Sequence, residues 1–121
     1  MRLLTAISLL CWLSAAAAGG LRMTVQRLPL AGSQYHALAE VRARLKVGDP
    51  LSLVREPGNR HDANAIRIDW RGRPLGYVPR AANRALAAAL DRGEALSARI
   101  TRLGDDADPW RRLEFEVLAG L

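Results

Sequence analysis

Cysteine is nearly missing from this chain: Cys11 is the only one in 121 residues. A single thiol forms no internal disulfide and supports neither a paired-cysteine zinc site nor a CxxC redox centre. Histidine is almost as scarce, at His36 and His61. Without an HExxH stretch, protease-type zinc chemistry has no ligand set, and no metal is implied. The phosphate-cradling GxxxxGK and the dinucleotide-binding GxGxxG are missing too, which disfavours nucleotide hydrolysis and hydride transfer and leaves no cofactor implied. No serine lies in a GxSxG elbow. Lysine occurs once, at Lys46, and every other cationic side chain is arginine.

The longest apolar run is confined to the start. Met1-Arg2 is a short basic opening, Leu3 to Leu13 is almost wholly apolar, and Ser14-Ala15-Ala16-Ala17-Ala18-Gly19 is small and cleavable. That order predicts a secretory signal peptide over residues 1–18, cut near Ala18. The alternative is an uncleaved anchor, but the apolar stretch falls short of the roughly 20 residues a span needs. Cleavage removes Cys11, leaves no transmembrane span, and leaves about 100 residues to fold on a hydrophobic core alone, a feasible but marginal size. The expected location is then periplasmic or secreted, or membrane-tethered if the cut is not made. The formal net charge is +6 and the pI about 10.9. That balance favours anionic partners, although it also suits an ordinary solvated surface.

Residues 19–23 read as a loose start to one domain over 24–121. Thr24 to Leu30 alternates partly and predicts a first strand. Leu38, Val41 and Leu45 share one face of a short helix over His36 to Leu45. Leu51 to Val54 and Ala65 to Trp70 read as strands, Arg71-Gly72-Arg73 as a hairpin turn, and Leu75 to Val78 as the returning strand. Pro79 suits a first helical turn, Ala82 to Leu90 favours helix, and Gly93 is a stop. Ala95 to Leu103 and Leu113 to Leu118 alternate as two last strands, separated by an acidic turn at residues 104–109. Five or six short strands with two helices predict a mainly β fold: a small OB-like β-barrel with a helical insertion.

The stretch "REPGNRHDANAIRI", Arg55 to Ile68, is the most crowded polar segment. Pro57-Gly58 sets a tight turn, and Asn59, Asp62 and Asn64 can each bond backbone nearby. On that account it is a loop tied down by its own side chains. The same residues can also face a ligand. Arg55 can bond back onto the loop or meet a phosphate bidentately. Asp62 accepts hydrogen bonds only, so it suits a ligand hydroxyl and repels a phosphate. His61 offers a face for base stacking, to which Tyr35, Tyr77 and Trp70 could add. Arg80, at the start of the second helix, can meet a phosphate beside a helix N-terminus. Tyr35 and Tyr77 could equally be half-buried core residues with wet hydroxyls.

"LSLVREPGNRHDANAIRI" followed by "GRPLGYVPRAANRALAAALDRG", with "AGSQYHAL" upstream, resembles the HIRAN domain. The resemblance runs from about Thr24 to the C-terminus. It implies an OB-like barrel with a helical insertion and the binding of single-stranded DNA at a free 3′ end. It implies contact with the terminal nucleotide from His61 and Asp62, with Tyr35, Tyr77 and Arg80 around them and Asn59 and Asn64 as loop-shaping positions beside Pro57. His61 stands where studied eukaryotic members carry tyrosine, and Gln34 where DNA-binding members carry a basic residue. No helicase or RING module accompanies the domain on this chain.

Three functions follow as expectations. The first is a stand-alone exported module binding single-stranded nucleic acid or another anionic ligand. The second is an envelope interaction protein using the same barrel face. The third is a hydrolase in which Glu56, His61 and Asp62 gather a divalent metal that activates water.

Overall fold

The computed structural model describes residues 22–120. The segment read as a signal peptide, with most of the loose start, lies outside the described residues. Six strands are present: β1 (Arg22–Pro29), β2 (Pro50–Arg55), β3 (Ile66–Trp70), β4 (Arg73–Tyr77), β5 (Leu96–Leu103) and β6 (Leu113–Gly120). They form one antiparallel sheet in the order β1-β6-β5-β2-β3-β4. The two outer strands belong to opposite ends of that order, yet they meet. Immediately after β1, Ala31 pairs with Tyr77 of β4 through two backbone hydrogen bonds of 2.9 Å. The expected barrel is therefore a sheet curled until its edges touch at one bridge, and open elsewhere.

Gly76 permits that contact. A Cβ there would lie 2.4 Å from the Ala31 carbonyl oxygen and 2.8 Å from Leu30 Cγ. The core fills the inside of the curl: Leu30, Ile66, Ile68, Leu75, Ile100, Leu113, Phe115 and Val117 are almost fully buried. Alternation along β3 and β6 supplies most of them, as period-two patterning requires.

The predicted helix over His36 to Leu45 is a correction. His36 has extended backbone (φ −132°, ψ −169°), so no helix begins there. Only α1 (Leu38–Val41) is α-helical, with tighter 3₁₀ turns at Ser33–Tyr35 and Arg42–Arg44. A single turn gains too few hydrogen bonds to propagate. Its predicted face survives, because Leu38, Val41 and Leu45 are all buried.

The second helix, α2 (Arg80–Asp91), follows Pro79 at its N-cap. It buries Asn83, Leu86 and Ala87, an i, i+3, i+4 stripe. Gly93, at φ 81°, ends it: the Gly93 N–H donates to Leu90 O and the Glu94 N–H to Ala89 O. That pair of bonds is a Schellman termination, which needs a left-handed residue. No helix among the described residues is long and apolar enough to cross a membrane.

Candidate nucleic-acid interface

The loop between β2 and β3 is built from its own side chains outward. At its base the Glu56 N–H donates to Ala65 O, and the Asn59 N–H closes the Pro57-Gly58 turn onto Glu56 O, both at 3.0 Å. Asn59 Oδ1 then accepts from the backbone N–H groups of His61 (2.9 Å) and Asp62 (3.2 Å). Asp62 Oδ1 accepts from the Asn64 N–H at 2.9 Å. Asn59 and Asp62 thus fix the loop by short-range bonding, and Asn64 contributes through its backbone.

Two outside contacts pin the loop to the sheet and helix. Asn59 Nδ2 donates to Glu56 Oε1, which also receives the Tyr77 hydroxyl at 2.7 Å. Glu56 Oε2 accepts from Arg67 at 2.9 Å, and Arg67 holds the buried Asp69 bidentately. Burial opposes ionisation of Glu56, but the bonds from Tyr77, Asn59 and Arg67 outweigh it and hold the carboxyl below its ordinary range. Burial and the Glu56 charge both push the Tyr77 phenol up, so it stays protonated as a donor. On the helix side, buried Asn83 donates to Asp62 Oδ2 at 2.7 Å, and Arg80 Nε lies 3.7 Å from the same oxygen.

Between these parts lies a cleft of about 320 Å³. Asn59, His61 and Asp62 form one wall, Arg80 and Asn83 the helix wall, Tyr77 and Val78 the strand side, and Ala31-Gly32 the far rim. The Asn64 N–H, the Asn83 amide and the nearby Arg80 guanidinium keep the Asp62 carboxyl below its usual range. It is therefore an anionic acceptor at neutral pH, with lone pairs left over after its two internal bonds. Arg80 spends one N–H on His61 O (2.5 Å) and is otherwise largely in solvent. The cleft thus offers an acceptor for a hydroxyl, a guanidinium for an anion, and partly apolar walls.

The sequence-derived residues separate on this geometry. Asn59, His61, Asp62, Tyr77 and Arg80 all line the cleft. Tyr35 is 80% exposed on the turn that follows Gly32. Arg55 lies outside the cleft: its guanidinium holds Asp91 at the end of α2 and donates to Ala65 O. Trp70 is a correction. It is 2% exposed, and its indole N–H donates to Asp49, so it offers no stacking surface to a base. Glu56 is spent on three internal partners rather than shared with His61 and Asp62. Among the described residues, no group of three His, Cys, Asp or Glu side chains is arranged to hold a metal ion.

Two residues were missed. Asn83 lies three positions after Arg80, so helical spacing alone puts both on one face. Trp110 is 51% exposed on the 3₁₀ turn Pro109–Arg111, which packs beside the Tyr35 turn. Its exposure followed from the fold rather than from any local motif.

A scan against protein families matches the HIRAN domain over residues 23–121. The chain belongs to the HIRAN domain family. HIRAN domains are a family of nucleic-acid-binding modules. Among solved structures, this HIRAN domain is similar to a protein from Lactobacillus plantarum, at 27% identity and a TM-score of 0.71, over 82% of this chain and 95% of that one. It also shares its fold with the HIRAN domain of human HLTF, at 20% identity and a TM-score of 0.62, over 84% of this chain and 81% of that one. A search of curated proteins gave no match.

Proposed function

We propose that this HIRAN domain captures the 3′-hydroxyl end of single-stranded DNA in the cleft beside Asp62. The observation that carries the reading is the placement of that carboxylate: fixed by Asn64 and Asn83, and open to the cleft next to Arg80. An end hydroxyl donates to Asp62, whereas a terminal phosphate meets a like charge there. The adjoining backbone phosphate pairs with Arg80, and the terminal base lies against His61 and Tyr77. Exposed Tyr35 and Trp110, on neighbouring turns, provide stacking surface for preceding bases, since aromatic faces accept any base. Arg55, bound to Asp91, takes no part. The N-terminal segment supports export of the domain, and intact-mass measurement of native protein tests whether residues 1–18 are removed.

Fluorescence anisotropy with oligonucleotides ending in a 3′-hydroxyl or a 3′-phosphate tests the capture. Wild type binds the hydroxyl end more tightly, and Asp62→Asn loses about tenfold or more of that preference while keeping non-specific affinity, because a hydrogen bond to a charged group carries that much discrimination. Equal wild-type binding to both ends would refute the reading.

A further inference from the structure

The β3–β4 hairpin turns on Arg71-Gly72, with φ of 47° and 78°. Two successive positive φ values define a turn in which Asn-Gly is favoured, because Asn tolerates left-handed backbone and longer side chains resist it. Arg71 is the one non-glycine residue with positive φ among the described residues. Its guanidinium lies 4.6 Å from the centre of the Trp70 ring, and that of Arg44 lies 5.4 Å from the same ring. Both residues are exposed at their surface, and among the described residues neither guanidinium has a carboxylate partner. Two like charges thus converge on one indole. Asp49 accepts from the indole N–H and from the Lys46 backbone N–H, which fixes the ring without neutralising either arginine. The ring attracts both cations, and each exposed guanidinium keeps N–H donors of the kind that grip a phosphate bidentately.

We propose that Arg44 and Arg71 form a second anion site, which binds a backbone phosphate of the nucleic-acid strand whose end occupies the cleft. The inference rests on the single-strand reading above. The two sites lie at opposite ends of β3: from Ala65, at the cleft, to Arg71 the extended chain covers about 20 Å. A strand held only by its terminal nucleotides does not reach the arginines. A strand of about 12 nucleotides, at 3.4 Å per stacked nucleotide, is long enough to do so.

The test compares wild type, Arg71→Asn, Arg44→Gln and Asp62→Asn against a 3′-hydroxyl dinucleotide and the longer strand. Arg71→Asn suits the turn better than the native residue, so its Tm should hold or rise, and any lost affinity then belongs to the ligand. For the longer strand, each arginine variant should bind roughly three- to tenfold more weakly at low salt, with the log–log salt slope reduced by about 0.7. The dinucleotide should bind all but Asp62→Asn as wild type does. Unchanged affinity and slope for the longer strand in both arginine variants would overturn the second site, whether or not the end preference holds. Lost slope without any end preference in wild type would keep the arginine site and discard capture at Asp62. Binding of neither oligonucleotide by wild type would discard both. Arginine-dependent binding to phosphatidylglycerol vesicles but not to the longer strand would reassign the pair to a lipid surface.

Discussion

Two carboxylates mark the two halves of the sheet, and the fold uses them differently. Glu116, on β6, lies between its cross-strand neighbours Arg27 on β1 and Arg99 on β5. It is 2% exposed, bonded to Arg99 and to the Thr24 hydroxyl (3.2 Å), with Arg27 at 3.5 Å. Both arginines run into solvent, so strand register makes the triad and the triad ends there. Glu56 is also met by an arginine, but its other partners come from the loop and from β4. Through Asn59 it governs the amides of His61 and Asp62, and through Tyr77 it sets a wall of the cleft. The chemistry is alike in both halves. Only the second carboxylate has partners, Asn59 and Tyr77, that line the cleft beside Asp62.

The largest expected effect tests whether the second half can keep that shape. Gly76→Ala drives a methyl into the Ala31 carbonyl and Leu30, so the bridge at Tyr77 must open. We expect a loss of about 3 kcal/mol, read from urea unfolding, together with loss of binding. Native stability in this variant would mean that the bridge does not hold the sheet edges. Next come the carboxylates themselves. Glu56→Gln should weaken oligonucleotide binding by roughly five- to tenfold, since one charged acceptor with three donors is replaced by a weaker one. Glu116→Gln should lower Tm and leave that affinity unchanged. If both variants weaken binding equally, the contrast between a brace and a cleft-shaping group disappears.

Much of the fold was legible because alternation and turn chemistry are local. All six strands were expected within a few residues, and Gly93 marked the stop of α2. The break-up of the short helix expected over His36 to Leu45 was not, because a shared apolar face does not distinguish one α-turn flanked by 3₁₀ turns from a continuous helix. At the site, Asp62, Asn59 and Arg80 could be read from residue type and position. Arg55 had two readings, and its partner, Asp91, lies 36 residues away. Trp70 could add stacking surface by residue type alone, but it is buried on the core side of β3 with two arginines over the ring. The bonds from Glu56 to Tyr77 and from Asp62 to Asn83 each span 21 residues, so only the curled sheet reveals them.

The smallest effect is the acid response, which sharpens the comparison. In the folded protein Glu56 and Glu116 both titrate below their ordinary value of 4.5, the first through Tyr77, Asn59 and Arg67 against the opposing effect of burial, the second chiefly through Arg99. Between each depressed value and 4.5 the unfolded chain binds more protons than the folded one, so stability is present above that window and is lost as pH falls through it. Either Gln variant should therefore show a shallower decline of Tm with acid than wild type, as thermal scans across that window would record. Binding distinguishes them. Protonating Glu56 weakens its hold on Arg67, Asn59 and Tyr77, so part of the acid loss of oligonucleotide affinity should vanish in Glu56→Gln and persist in Glu116→Gln, with Asp62 accounting for the remainder. An acid profile of binding that is the same in both variants would show that Glu56, like Glu116, braces the sheet without shaping the cleft.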